Sequence, residues 1–354
     1  MARIALAPQG AKVLDGRQKP LSSDSLTPRQ KAALEHVGQA KLLEMYRLMV
    51  LIRSFEQRCE QCYQQRKIGG FLHTYMGQEA LAVGMLSAIR EDDYVTTSYR
   101  DHGIALARGI SPDLLMAELF GKVTGLCRGK GGSMHFFSKE KNLLGGHGIV
   151  GGQVPVGLGA AYRASYLGTD QVSLVFLGDG AVNQGSFHET LNIASLWHLP
   201  AIFIIENNQY GMGTSVKRST AVTDMTLKAQ GYNMEGQIVD GMNLLDCYEV
   251  VHQAVKIRRK EPRPILIEAK TYRYRGHSIS DPGTYRSKEE IENYQRIDPI
   301  SQVRGLLEEL NWLDEVGAKA MEKEVRKEVA EAATFADESP EPGPEERERD
   351  VFAP

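Results

Sequence analysis

Residues 171–215, QVSLVFLGDGAVNQGSFHETLNIASLWHLPAIFIIENNQYGMGTS, constrain the fold more than any other stretch of this chain. The apolar run 172–177 breaks at Gly178-Asp179-Gly180, and an amphipathic helical pattern follows to about Leu199, where Pro200 stops it. A second apolar run, 201–205, ends in Asn207-Asn208. This is one βαβ unit. Its two buried parallel strands deliver Asp179 and Asn208 to the same sheet edge, the carboxyl end, where open α/β sheets bind ligands.

The residue types at that edge point to a phosphorylated ligand and a metal. Gly178 and Gly180 are expected to let the backbone turn sharply and approach a ligand, with a helix behind them offering free N–H groups to phosphate. A dinucleotide fingerprint begins in the same way, and Glu206 would imitate its ribose-binding acid. Asn183, however, stands where the third glycine would be, and Asp179 would face a bare pyrophosphate with like charge. A metal removes that conflict. Mg²⁺ takes octahedral oxygen coordination, commonly from a few protein groups and phosphate oxygens. The Asp179 carboxylate, the Asn208 amide oxygen and one carbonyl from the following turn would complete such a shell with a diphosphate and a water.

Composition narrows the alternatives. A chain of 354 residues can bury a sizeable core as one large domain or two ordinary ones. A formal net charge of −3 gives no nucleic-acid surface, and no apolar run approaches the ~18 residues of a membrane helix. Residues 1–27 lack a secretory apolar segment, and Asp15 and Asp24 are out of place in an organellar transit peptide. The reading is a cytoplasmic chain with a disordered leader, 1–27. Cys59-Glu60-Gln61-Cys62 has C-x-x-C spacing but lies in a helical pattern with no second pair, so the four cysteines read as reduced thiols.

Along the chain, Thr27-Pro28 opens a helical region and 39–67 is a long amphipathic helix. Residues 93–98 form a short strand, and Ser111-Pro112-Asp113 is a helix start with its cap in place. The glycine-dense stretch 121–159 carries too many apolar residues for a linker and reads as ordered loops. A helix over 154–167 then enters the first strand of the βαβ unit. Strand 237–239, helix 243–260 and strand 264–272 follow, and the alternation implies a mainly parallel sheet covered on both faces. The polar loop TYRYRGHSISDPGTYRSKEE precedes helices over 299–310 and 313–335, and 337–354 is an extended Pro- and Glu-rich tail.

GDG followed at a helix's remove by NN resembles the diphosphate motif of thiamine-diphosphate enzymes. The resemblance implies Asp179, Asn208 and the Tyr210 backbone carbonyl as ligands of Mg²⁺. It extends over most of the chain through GGFLHTYMGQEA, TTSYRDHG, GKGGSMHFFSKEKNLLGGHGIVGGQVP, ENNQYGMGTS and TYRYRGHSISDPG. Together these are similar to the α subunits of decarboxylase components in the 2-oxo acid dehydrogenase family. SYRDHG and GGSMHFFSKEKN favour the pyruvate-acting members over the branched-chain ones, while acetoin-type relatives lie closer.

The resemblance implies a thiamine-diphosphate-binding α/β fold over 28–336, with helical extensions at both ends. By it, Tyr99, Arg100, Gly180, Ala181, Arg273 and His277 hold the diphosphate, and Gly148 and Val150 meet the aminopyrimidine through their main chain. Phe71 and His73 lie on the substrate side, and His73 and His277 are the catalytic residues. Arg suits a phosphate fork, and His suits proton handling near neutral pH. The implied reaction is oxidative decarboxylation of pyruvate with acetyl transfer to a lipoyl domain of an acyltransferase, in an α₂β₂ assembly with a β subunit. Ser278 matches the first phosphorylation site of regulated members, yet the loop is one residue shorter than theirs and reads Gly283-Thr284-Tyr285. The loop 275–286 is expected to close over bound cofactor. A cofactor-binding regulatory subunit without turnover is the contrasting reading, since in this family the activating glutamate comes from the other subunit. His73, Arg273 and His277 argue for the enzyme.

Overall fold

The computed structural model describes residues 21–349 and Val351. Thr27 caps the first helix, α1 (Pro28–Gln64): its hydroxyl accepts from the Gln30 N–H while the Gln30 side chain accepts from the Thr27 N–H, a reciprocal cap that satisfies two otherwise free donors. The helix is broken at Gly38, where φ is 65°. There follow α2 (Glu79–Leu86), β1 (Tyr94–Ser98), α3 (His102–Ala107), α4 (Pro112–Leu119), β2 (Leu143–His147), α5 (Gln153–Leu167), β3 (Ser173–Gly178), α6 (Gly185–Leu196) and β4 (Ala201–Asn207). A small antiparallel pair, β5 (Tyr210–Gly211) and β6 (Thr214–Ser215), leads through α7 (Val216–Ser219) to β7 (Glu235–Asp240), α8 (Leu244–Arg258) and β8 (Ile265–Lys270). Three helices, α9 (Lys288–Gln295), α10 (Pro299–Glu309) and α11 (Glu315–Glu338), complete the chain.

The main sheet has six strands in the order β2-β1-β3-β4-β8-β7, every neighbouring pair parallel. Strands buried on both faces must be apolar throughout, and residues 174–177 show how the period of two is used. Leu174 and Phe176 join the core cluster that holds α1, α2 and α8, whereas Val175 and Leu177 join the cluster that holds α5 and α6. Each such side chain contributes roughly 1.5–3 kcal/mol on burial. The chain runs outward from β1 to β2 and then back across it to β3, so the strand order reverses between β1 and β3. A crevice opens there at the carboxyl edge.

The observed elements correct several expectations. The leader does not run to Thr27: Ser23–Ser25 form a 3-10 turn bonded to Glu309 and Leu26 is buried, while residues 1–20 lie outside the described part. The tail lies along its own chain, with Pro340 accepting from the Val123 N–H, Lys122 paired with Glu341, and Arg128 paired with the buried Glu346. The glycine-dense region contains a strand, β2. A Cβ on Gly145, whose φ is +98°, would meet the Phe137 ring at 2.1 Å, and one on Gly146 would meet Asp101 Oδ2 at 1.9 Å. Glycine is required there by close approach, and it erases the side-chain alternation that marks a strand. The polar loop ends in an unforeseen helix, α9.

One buried carboxylate organises the loop after α4. Glu118, fully buried, accepts from the N–H groups of Cys127, Gly129, Gly131 and Gly132 at 2.7, 2.9, 2.6 and 3.2 Å. Glu118→Ala would leave these partly buried amides without their acceptor; a fully buried unsatisfied donor costs about 1–3 kcal/mol, and water reaching some of these lowers that cost. The expected loss of stability is about 3 kcal/mol after partial relaxation, read as a lowered urea midpoint of the purified variant.

Candidate active site

Every strand of the parallel sheet that borders the crevice ends at the same edge, and each hands over to a residue of interest. Tyr99 and Arg100 follow β1, Gly148 and Val150 follow β2, Asp179, Gly180 and Ala181 follow β3, Asn208 and Tyr210 follow β4, and Arg273 and His277 follow β8. In the β3–β4 pairing Gly178 is opposite Glu206, so Asp179 and Asn208 leave the two strands within a residue of the same level, and both line one cavity. A cavity of about 210 Å³ opens at this place, lined by Tyr99, Arg100, Val150, Asp179, Gly180, Ala181, Asn208, Tyr210, Arg273 and His277 among others.

The oxygen donors of the cavity are arranged around positive charge. Asp179 is 3% exposed, its Oδ2 has no hydrogen-bond partner, and burial pushes its carboxyl up to about 6. Asn208 Nδ2 donates to Gln78 Oε1 at 3.1 Å, which turns Oδ1 toward Arg273 Nη1 at 2.9 Å. The same Nη1 donates to the Tyr210 carbonyl. Two of the three expected metal-binding oxygens thus already face a cation, and the third is an orphaned buried carboxylate oxygen. That donor set suits a hard divalent ion. Asn207, the other half of the pair, is structural: it donates to Glu268 at 2.6 Å and accepts from the Gln209 N–H.

The turn after β3 differs from expectation. Asp179–Asn183 form a 3-10 turn and α6 begins only at Gly185, so the N–H groups beside Asp179 belong to that turn and not to an α-helix. Gly178 has an ordinary φ of −74°. Neither conformation nor contact within the chain demands glycine at 180: a Cβ there would lie 3.7 Å from the Gly211 Cα, an ordinary contact.

On the other side of the cavity three rings meet. His73 lies 4.7 Å from Tyr99 and 5.1 Å from His277 between ring centroids, and Tyr99 lies 5.5 Å from His277. Tyr99 and His277 line the cavity, while His73, 5% exposed, stands one layer behind them. Burial, followed by the Arg100 and Arg273 charges, pushes His277 down to about 4; burial and Arg100 push His73 down to about 2. Both imidazoles are therefore neutral at pH 7. Phe71 is 63% exposed with its ring 6.3 Å from His73, outside the cavity wall, and Gly148 faces His135. Arg100 spends its terminal nitrogens on the Thr74 and His277 carbonyls at 2.7 and 2.8 Å.

The chain matches the family model "Dehydrogenase E1 component" over residues 46–345. The chain belongs to the dehydrogenase E1 component family. Among its relatives, pyruvate dehydrogenase E1 component subunit alpha of Rhizobium meliloti is 50% identical over 311 residues, 88% of this chain and 89% of the relative. The Rickettsia bellii protein of the same name is 45% identical over 310 residues, 88% of this chain and 95% of the relative. The chloroplastic alpha-3 subunit of Arabidopsis thaliana is 44% identical over 347 residues, covering 95% and 81%.

In this E1 chain the loop after β8 is a hydrogen-bonded structure. Arg286 donates to the Arg273 and Arg275 carbonyls at 2.6 and 2.7 Å, and Arg275 forms a two-bond pair with Glu60. Asp281 Oδ2 accepts from the His277 N–H at 2.6 Å and the Tyr285 hydroxyl at 2.7 Å, and Tyr285 in turn accepts from Arg273 at 2.8 Å. A continuous line of bonds therefore runs from Asn208 through Arg273, Tyr285 and Asp281 to His277. Sequence reasoning gave Asp281 and Gln78 no role in the site, and it met Glu206 only as an imitation of a ribose-binding acid and Tyr285 only as part of the shortened loop; the turn signal Asp281-Pro282-Gly283 was the one local mark on Asp281. Ser278, 7% exposed and 3.0 Å from Ser280 Oγ, is buried in the folded loop.

Two outcomes are expected. Asp179→Asn removes a buried carboxylate whose Oδ2 makes no bond, so thermal stability without metal should be kept or raised while Mg²⁺-dependent binding of thiamine diphosphate is lost by calorimetry. For His277, the folded value of about 4 lies below the ordinary 6.5, so the unfolded chain binds the extra proton. The stability contributed by the neutral ring is fully present above about pH 6.5 and is lost as pH falls toward 4. His277→Asn should flatten that limb of a stability curve measured between pH 4 and 7.

Proposed function

We propose that this E1 chain is the α subunit of a pyruvate dehydrogenase decarboxylase component, acting with thiamine diphosphate and Mg²⁺ and passing the acetyl group to a lipoyl domain of an acyltransferase. The observation that carries the reading is the gathering of Asp179, Asn208 Oδ1 and the Tyr210 carbonyl in one cavity with Arg273, with neutral His277 on the facing wall and neutral His73 behind it. Relatives named pyruvate dehydrogenase E1 component subunit alpha, from 43% identity in Rickettsia typhi to 50% in Rhizobium meliloti, support the substrate.

In this reading Asp179, Asn208 and the Tyr210 carbonyl hold the metal, and the Gly180 and Ala181 N–H groups with Arg273 take the diphosphate. Gly148 and Val150 meet the aminopyrimidine through their main chain. When bound, thiamine diphosphate supplies the carbon nucleophile and electron sink for loss of CO₂ from a 2-oxo acid. The protein's share is positioning, water exclusion and proton handling. His277 presents a neutral imidazole at the cavity wall, able to accept or return a proton at a ring nitrogen without first losing one. The His73, Tyr99 and His277 rings, packed tilted and edge-to-face, keep water from that side, and the Arg273–Tyr285–Asp281 line ties the diphosphate end to the backbone of His277.

A partner completes the site. Ile149 is 78% exposed, Met212 65% and Val150 43%, and the last two line the cavity, so its mouth carries an apolar rim. Such a rim fits burial against a β subunit in an α₂β₂ heterotetramer. Among the described residues no helix is long and apolar enough to cross a membrane, which is in keeping with a cytoplasmic enzyme. The loop 275–286, with the buried Ser278, would lie over the diphosphate and face the lipoyl domain.

The test is a substrate panel. Chain co-expressed with its β partner should release CO₂ from pyruvate and acetylate a lipoyl domain, with k at least tenfold lower for branched-chain 2-oxo acids and acetoin, a difference of about 1.4 kcal/mol or more. The chain alone should be inactive. Preference for a branched-chain acid or acetoin, or turnover by the isolated chain, would overturn the assignment.

A further inference from the structure

Glu56, His102 and Ser133 line no part of the cavity, yet they form one buried line of hydrogen bonds. Glu56 Oε2 lies 2.9 Å from His102 Nδ1, and His102 Nε2 lies 2.9 Å from Ser133 Oγ. Glu56 and His102 are fully buried and Ser133 is 4% exposed. Burying a carboxylate and an imidazole is costly, and a buried polar network of this kind holds one geometry only when its members are satisfied.

Both ends of the line grip the same stretch of backbone. Ser133 Oγ accepts from the His73 N–H at 3.3 Å, and Glu56 Oε1 accepts from the Tyr75 N–H at 2.7 Å. On the opposite side, the carbonyls of Leu72, Thr74 and Met76 accept from the Ile279 N–H at 2.9 Å, Arg100 at 2.7 Å and the Tyr274 N–H at 3.0 Å. This alternation is that of an extended segment in a sheet, where odd and even residues bond to opposite neighbours. Three side chains from α1, α3 and the glycine-rich loop stand where an adjacent strand would be.

We propose that Glu56, His102 and Ser133 are positioning residues for the reaction: as a surrogate strand they set the depth of His73, and through its ring contacts the placement of Tyr99 and His277 at the cavity wall. The proposal rests on the reading of that cavity as the decarboxylating site. The Glu56 and His102 atoms also lie near Cys59 Sγ in a group of metal-ligating types. Both Glu56 oxygens and both His102 nitrogens already have protein partners, which assigns the group to positioning. The acceptor that matters for His73 is Ser133 Oγ: Glu56 as a carboxylate takes two hydrogens, and a hydroxyl oxygen beside His102 keeps a lone pair for the His73 N–H.

The experiment uses the full chain co-expressed with its β partner. Ser133→Ala removes the acceptor of the His73 N–H and should lower kcat on pyruvate about tenfold or more, because displacement of a site group by an ångström costs up to about a hundredfold. KM for pyruvate and the Kd of thiamine diphosphate with Mg²⁺ should stay within about twofold, since the oxygen donors around Asp179 are untouched. Hydrogen exchange in a peptide covering 72–76 should speed about tenfold, with peptides from β3 and β4 unchanged. Unchanged kcat overturns the proposal, whether or not exchange is faster; so does a loss shared equally with cofactor binding. Should Ser133→Ala fail to assemble, Glu56→Gln and Glu56→Asp decide. Gln keeps an oxygen in reach of the Tyr75 N–H and should keep most of kcat, whereas the shorter Asp should lose about tenfold; equal activity of the two overturns the proposal. If the wild-type complex decarboxylates no 2-oxo acid, the functional reading falls, and the exchange measurement still reports whether the line of side chains holds the segment.

Discussion

The in-register parallel pairing of β3 with β4 is the constraint on which the rest of the structure depends. It puts Gly178 opposite Glu206, and because both strands run the same way, whatever follows them emerges at one edge. Asp179 and Asn208 are brought to one crevice by that geometry, and the bonds of Asn208 to Gln78 and Arg273 finish its placement. A slip of β4 by one residue would turn Ile202 and Ile204 away from the core they share with Leu174 and Phe176 and change which residues face each other at the crevice. Packing of the sheet on both faces therefore protects the geometry of the site, and the core reaches it directly: Ala181 lines the cavity and the Tyr75 hydroxyl bonds Glu206, which lines it too.

Around that pair the protein gathers charge that a closed core would not tolerate. Arg273 is 1% exposed and Arg100 5%, and Asp179 and Glu206 are buried beside them, their carboxyls pushed up to about 6 and about 7 by desolvation. Cations held at the crevice, with the histidines kept neutral by the same burial, make a place suited to anionic phosphate and to proton transfer together. Arg273 links the two tasks, since one nitrogen faces the Asn208 and Tyr210 oxygens and the other bonds the Met212 carbonyl and Tyr285. The loop after β8 is thereby part of the charge arrangement and not an appendage to it.

Much of this was legible in the residues. The apolar runs of β3, β4 and β8, the helix starts at Thr27 and Ser111, and the breaker Pro200 report local preferences that the backbone obeys without help from distant residues. The GDG and NN pairs were legible because few residue types suit a metal and diphosphate edge. β2 was not, since Gly145 and Gly146 are there to admit Phe137 and Asp101 and leave no alternating side chains to read. The tail's contacts were not legible for a related reason: its charges carry no local sign of their partners until Arg128 and Lys122 are seen to meet Glu346 and Glu341.

By itself the sequence determined the strand order of chemistry: which residue types end each parallel strand, and hence that acid, amide, arginine and histidine share one edge. Only the tertiary structure decided how they face one another. That Arg273 addresses Asn208 and Tyr210, that His73 stands behind Tyr99 and His277, and that Glu56, His102 and Ser133 brace the His73 segment all depend on contacts between residues far apart in the chain. Such contacts have no periodicity and no local propensity. They arise from packing, in which a buried polar group takes whichever partner the surrounding elements bring within reach.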